Sequence, residues 1–377
     1  MKYLRIRSGL PIVLTLVFLY NCSERPVLWR EDSAAGPIKV ELVADSIAVP
    51  FGMAFLSGKT LLVSDRATGE ILKVDLDSGR KLTIKGVPVS YCHGDGGALD
   101  ILPHPQFETN HLIYFSHAVG DSTGSTLAIE RGKLLGDSLT GVKRLFTAYP
   151  FYREPNHYGS RMVLHNGYLF FTMGERYDLR DSAQSLGNHL GKVMRIKEDG
   201  EIPSDNPFVN TPGAKPEIWS YGHRNPQGLL FNEETGQLLL NEHGPRGGDE
   251  LNVIQPGLNY GWPEISFGVN YDGTVVGTGN PVREGMAQPL YQYTPSIAPS
   301  GMELYKGKKI PSWENSLFIG ALALRHLNRL VIKNNKVVLE ERLLDGFEKR
   351  VRVVKEGPDG YLYIGVDGGM ILRIRPD

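Results

Sequence analysis

Between Tyr221 and Trp262 the segments YGHRNPQG, NEHGPRGGDELN and NYGWP follow one another with little spacer. They place an Arg-Asn pair (Arg224, Asn225), a Gly-Pro turn (Gly244, Pro245), two adjacent acids (Asp249, Glu250) and an aromatic turn around Tyr260 within one span. Core packing alone does not ask for that mixture. A guanidinium beside an amide can stabilise negative charge developing on a carbonyl oxygen without giving up a proton. Arg350 and Arg352 alternate, so on a strand both project from one face, where two cations can clamp a polycarboxylate; a solvated strand face is the bland reading. His157, in NHYGSRM, is one of 10 histidines. Imidazole is the side chain whose chemistry best suits a general base, yet residue type alone does not single this one out.

Charged and amide groups this close to glycines belong on loops, which need a rigid scaffold to hold them. The chain supplies one by weak repetition. FGMAFLSGKTLLVSDRATGEILKVD, SRMVLHNGYLFFTMGER with GKVMRI, GLLFNEETGQLLLNEHG and VRVVKEGPDGYLYIGVDGGMILRIRPD share one pattern: strand, Gly-containing turn, alternating aromatic strand, acid-rich turn, strand. Asn166-Gly167 and Asp359-Gly360 read as two-residue hairpin turns. The module recurs at roughly 45 to 75 residues, the scale of propeller blades with loop insertions. Starts near Phe51, Gly97, Ser160, Gly228, Gly301 and Val351 predict an all-β, six-bladed propeller, its ring closed by the N-terminal strand Ile38 to Val43. Only Ser182 to Leu190 suggests a short helical turn. No linker divides the ring, so residues 27–377 are expected to form one domain.

A chain of 377 residues with 41% hydrophobic content can bury a substantial core. Its 41 basic and 42 acidic residues leave a formal net charge of -1, which argues against nucleic acid as a partner. Lys2, Arg5 and Arg7 precede the apolar run Leu10 to Tyr20, an export-signal pattern too short to span a bilayer comfortably. Leu19-Tyr20-Asn21-Cys22 is similar to a lipoprotein processing site, so residues 1–26 read as leader and tether. A lipid on Cys22 would be the membrane contact, with ordinary cleavage or an uncleaved anchor as alternatives. Cys92, the other cysteine, is expected to be a small buried hydrophobe without a disulfide partner.

GHRNPQG, EHGPRGGDELN, LNYGWP, SFGVNYDG, PSGM and GPDGYLYIG, in this order from FGMAF to the C-terminus, together resemble the soluble pyrroloquinoline-quinone-dependent sugar dehydrogenases, the glucose/sorbosone or aldose sugar dehydrogenase family. The resemblance implies a six-bladed propeller binding pyrroloquinoline quinone and Ca2+ above the central channel. It implies oxidation of the anomeric hydroxyl of an aldose to a lactone, with electrons passed to an external acceptor. By the same resemblance His157 is the general base, Arg224 and Asn225 face the quinone, and Arg350 and Arg352 clamp it. Tyr271 lies against its ring, Gly244 and Pro245 offer carbonyls to the cofactor calcium, and Glu250 with Tyr260 matches a further calcium position, with Asp249 as its support. His223 reads as structural. Four positions depart from the pattern. Asn156 stands where some members carry an acid, Val353 where an aspartate is usual, Asp95 where Gln is common, and Ala323 where a lysine often contacts the quinone, leaving Arg325 or His326 to substitute. Asp95 and Ala323 favour the alternative, a non-catalytic calcium-binding propeller that takes a glycan or protein. Hydrolase chemistry through His157 lacks a nucleophile motif.

Overall fold

A computed structural model describes residues 25–377. Cys22 and the export-signal reading lie outside the described residues. Six antiparallel sheets, five of four strands and one of five, are ordered so that the first strand of each module is innermost. The inner strands Pro50–Ser57, Ala98–Pro103, Met162–His165, Asn225–Asn232, Pro299–Leu304 and Val351–Glu356 each begin within three residues of the predicted module starts. They pack against one another around the axis. The six-bladed propeller expected from the repeat is the observed fold. The strand Gly36–Ala44 pairs with the C-terminal strand Met370–Pro376, so the last sheet joins both ends of the chain. Val27–Ser33 adds a fifth strand outside it.

Local rules explain most turns. Asn166 and Gly167 both have positive φ (49° and 77°) between paired strands Met162–His165 and Tyr168–Met173, the primed turn that suits strand twist. Asp359-Gly360 is not a two-residue turn. It lies in the connection 357–361, closed by Gly357 N–H to the Tyr361 carbonyl at 2.8 Å, because Gly357 and Pro358 cannot extend the inner strand. The predicted helical turn appears as a 3-10 turn at Arg180–Gln184. Apolar faces of neighbouring sheets interlock: Ile38, Val40, Trp313, Phe318, Ile364 and Leu372 are buried between the last two blades. Cys92 corrects its expectation, since it is exposed; it stands in the irregular loop before Gly94, beside Ser90 rather than inside a sheet.

Arg161 ties the axis together. It is buried, and its guanidinium donates to the carbonyls of Gln227 (2.7 Å), Phe51 (2.9 Å) and Arg352 (3.1 Å), with Asp100 Oδ1 at 3.4 Å. A Cβ on Gly301 would come within 3.5 Å of the same group, so all six blades meet there.

Candidate functional site

In an antiparallel blade the start of the inner strand and the end of the next strand lie at the same rim. That rim gathers the chemistry. His157 precedes the third inner strand, Arg224 the fourth and Arg350 the sixth; Glu175, His243 and Asp367 follow or end the second strands of those same blades. Gly174 makes the closest approach possible: a Cβ there would lie 2.4 Å from the His157 carbonyl and 3.0 Å from Asn225 Oδ1.

His157 is 8% exposed and takes a left-handed φ of 53°. Its Nδ1 lies 3.2 Å from Glu175 Oε1, and its main-chain N–H donates to Asp95 Oδ2 at 3.2 Å. The orienting carboxylate that Asn156 seemed to leave missing is therefore Glu175; the Asn156 amide turns away to Glu154. Glu175 Oε2 is buried with no partner, and Arg224 Nε stands 4.0 Å from Oε1. Arg224 also donates to the Gly244 carbonyl at 2.7 Å and sits 5.3 Å over the Trp262 ring. Asn225 is buried with its Oδ1 accepting from Gln227 Nε2 at 3.0 Å, leaving its NH2 group for a ligand. His223 is buried between Ser220 (2.9 Å) and Glu242 (2.8 Å), a structural link. His243 donates to the Pro299 carbonyl, and burial, then Arg224 and His157, push its pKa down to about 3.

A cationic corner faces this group. Arg352 grips Asp367 with Nε and Nη2, the second bond at 3.0 Å, while Arg350 Nε stands 3.6 Å from the same carboxylate. The aspartate that Val353 does not supply comes from Asp367, in the turn just after the neighbouring strand. Arg66 pairs with Asp95 at 3.0 Å, so Asp95 is neutralised rather than bare. Burial, then the Arg352 charge, hold the pKa values of both Arg66 and Arg350 below the ordinary arginine value. Three guanidiniums against two carboxylates leave an excess positive charge that suits a polycarboxylate. Arg325 pairs with the exposed Glu348 at 2.7 Å, and its charge reaches Arg350. His326 is fully buried and cannot replace a contact at the rim, which corrects that half of the Ala323 expectation.

A third group flanks Arg224. Glu242 and Glu250 are paired directly across neighbouring strands, with Asn252 Nδ2 3.1 Å from each. Burial, then the Glu242 charge, push the Glu250 pKa up to about 8. Opposed carboxylates of this kind call for a cation. The Tyr260 hydroxyl is taken, donating to the Val253 carbonyl and accepting from Gln255 N–H, so the residue can offer only its main-chain carbonyl. Asp249, with a pKa pushed by burial to about 6, receives the N–H groups of Gly244 and Ala298 and shapes the Gly244-Pro245 turn. The Gly244 carbonyl keeps one lone pair beyond the Arg224 bond; the Pro245 carbonyl accepts only a 3.4 Å contact from Ser296. No cluster of three or more His, Cys, Asp or Glu ligands occurs among the described residues, so any ion here relies on carbonyls, as calcium does.

Tyr271, 64% exposed, lines a cleft of about 400 Å³ with Glu175, Tyr177, Arg180, Arg224 and Trp262. The structure thus brings His157, Arg224, Asn225, Gly244, Pro245, Glu250, Tyr271, Arg350 and Arg352 to the same rim, with Arg224 and Pro245 lining the cleft beside Tyr271. Glu175, Arg66 and Asp367 were not singled out by the sequence, although TMGER and VDGG carry two of them at strand ends.

The model of the glucose/sorbosone dehydrogenase family matches residues 47–373. Aldose sugar dehydrogenase YliI from Escherichia coli (strain K12) is 38% identical over 356 residues, covering 93% of this chain and 95% of that protein. The apo crystal structure of the soluble aldose sugar dehydrogenase from Escherichia coli superposes with a TM-score of 0.87 at 38% identity, over 90% of this chain and 100% of that one. The quinone-bound aldose sugar dehydrogenase from Streptomyces coelicolor gives 0.72 at 27% identity, over 92% and 100%.

Proposed function

The chain belongs to the glucose/sorbosone dehydrogenase family of soluble quinoprotein sugar dehydrogenases, and we propose that it oxidises the anomeric hydroxyl of aldoses to lactones with pyrroloquinoline quinone and calcium, passing electrons to an external acceptor. One observation carries this reading: a buried imidazole held by a buried carboxylate, 4.0 Å from which an arginine is seated, faces the excess positive charge of Arg66, Arg350 and Arg352. A purely structural rim would gain nothing by gathering three guanidiniums against two carboxylates.

The roles follow from placement. When bound, the quinone supplies a two-electron hydride acceptor and calcium polarises its reacting carbonyl. Arg66, Arg350 and Arg352 would hold its carboxylates, Arg224 and the free amide of Asn225 would donate to its oxygens, and Tyr271 would offer its ring to it. The carbonyls of Gly244 and Pro245 would hold the cofactor calcium, and Glu250 with the Tyr260 carbonyl would hold a second. His157 Nε2 takes the anomeric hydroxyl proton. Glu175 keeps the proton on Nδ1 and stabilises the imidazolium that forms. The pairing of Asp95 with Arg66 removes the repulsion that favoured a non-catalytic propeller. The apolar leader and Cys22 support an exported, lipid-tethered protein of the cell envelope, tested by fatty-acid labelling that Cys22→Ser abolishes.

Reconstitution tests the dehydrogenase reading. Purified residues 27–377, supplied with pyrroloquinoline quinone and calcium, should show a bound-cofactor spectrum that bleaches on adding aldoses and should reduce a redox dye. Failure of the protein to take up the quinone overturns the proposal.

A further inference from the structure

Two consecutive residues beside the imidazole, Arg176 and Tyr177, hold left-handed φ values of 64° and 63°. Side chains other than glycine rarely accept this conformation, and paired cases persist only where surrounding contacts impose them. Here the contacts are explicit. Arg176 is fully buried, donates to the carbonyls of Asn156 (2.9 Å), Ser125 (2.7 Å) and Glu154, and lies 4.0 Å over the Tyr158 ring. Beyond the following turn, Lys192 donates to the carbonyls of Ser182, Ala183 and Leu190 at 3.0, 2.9 and 2.5 Å. Both ends of the segment 176–190 are thus pinned.

The result of this strain is an aromatic ring where packing does not need one. Tyr177 remains 47% exposed, lines the cleft shared with Glu175, Arg224 and Tyr271, and meets the His157 ring edge-on at 5.3 Å and 78°. An apolar ring held in water next to a proton acceptor has surface to give to a ligand. Pyranoses carry a face of C–H groups that packs on the electron-rich face of an aromatic ring, while their hydroxyls stay free for hydrogen bonds. We propose that Tyr177 is a specificity-determining residue, the platform on which a pyranose ring stacks so that its anomeric hydroxyl meets His157. This rests on the dehydrogenase reading for the identity of the sugar but not for the stacking itself.

The test separates the two. Calorimetric titration of quinone- and calcium-loaded protein with 1,5-anhydroglucitol, a pyranose lacking the anomeric hydroxyl, reads sugar binding without turnover, and quinone affinity is measured in parallel by absorbance. Tyr177→Ala should weaken sugar binding about ten-fold and leave quinone affinity unchanged, and Tyr177→Phe should restore the sugar affinity. With oxidisable aldoses, Tyr177→Ala should raise KM rather than lower kcat. Unchanged sugar affinity in Tyr177→Ala overturns the proposal, as does a parallel loss of quinone, which would make Tyr177 a cofactor contact. If the wild type takes no quinone, the dehydrogenase reading fails, and the same sugar titration on calcium-loaded protein still decides Tyr177; absence of sugar binding there also overturns it.

Discussion

The pairing of His157 with Glu175 sets the strongest expectation for a single side chain. Glu175→Gln keeps the shape but removes the charge that favours the imidazolium, so kcat should fall about 100-fold while quinone affinity, read by absorbance, changes little. Glu250 makes a prediction of opposite character. Its pKa in the folded protein, about 8, lies above the ordinary 4.5, so the folded state binds the proton more tightly than the unfolded chain. Stability is then greatest below pH 4.5 as far as this group is concerned and is lost as pH rises through 8. A cation on Glu250 offsets that loss, so the rise in Tm on adding calcium should be larger at pH 8.5 than at pH 6. Thermal unfolding of Glu250→Gln should lose that pH dependence. The residues legible in the sequence were those inside dense motifs, such as Arg224 and Gly244. Glu175, Arg66 and Asp367 escaped because each acts only through a partner distant in the chain, and an isolated acid at a strand end looks like any solvated turn.

At the scale of strands and loops, the propeller was readable because apolar alternation and Asn-Gly turns are local signals, and the six inner strands begin where those signals recur. What stayed hidden was which rim each loop joins, since that is fixed by antiparallel pairing rather than by composition. Gly174 shows the cost of the arrangement. It lets the segment leading to Glu175 fit between the His157 main chain and Asn225 of the fourth blade, and Gly174→Ala would drive a methyl group against the His157 carbonyl and Asn225. Overpacking of this kind costs about 1–3 kcal/mol. Urea denaturation should report that loss, and turnover should fall more steeply than stability because the displaced main chain is the one that carries the imidazole. A variant with wild-type turnover would show that the loop tolerates the shift.

For the molecule as a whole, blades that touch only their neighbours need something to keep the ring in register, and two devices do so. The N-terminal strand zips onto the C-terminal one, and Arg161 bonds four other blades to its own. Arg161→Met would strand three carbonyls and Asp100 in the interior, a loss of about 3–5 kcal/mol, measurable by denaturant unfolding. It should also weaken quinone affinity, because the Arg352 backbone loses its tie. The same side chain has a consequence for traffic. A guanidinium bonded to four neighbouring inner strands crosses the axis beneath the rim that carries His157. On the proposed reading, sugar, product and electron acceptor would all approach from that rim, so each visitor would have to leave before the next could be served.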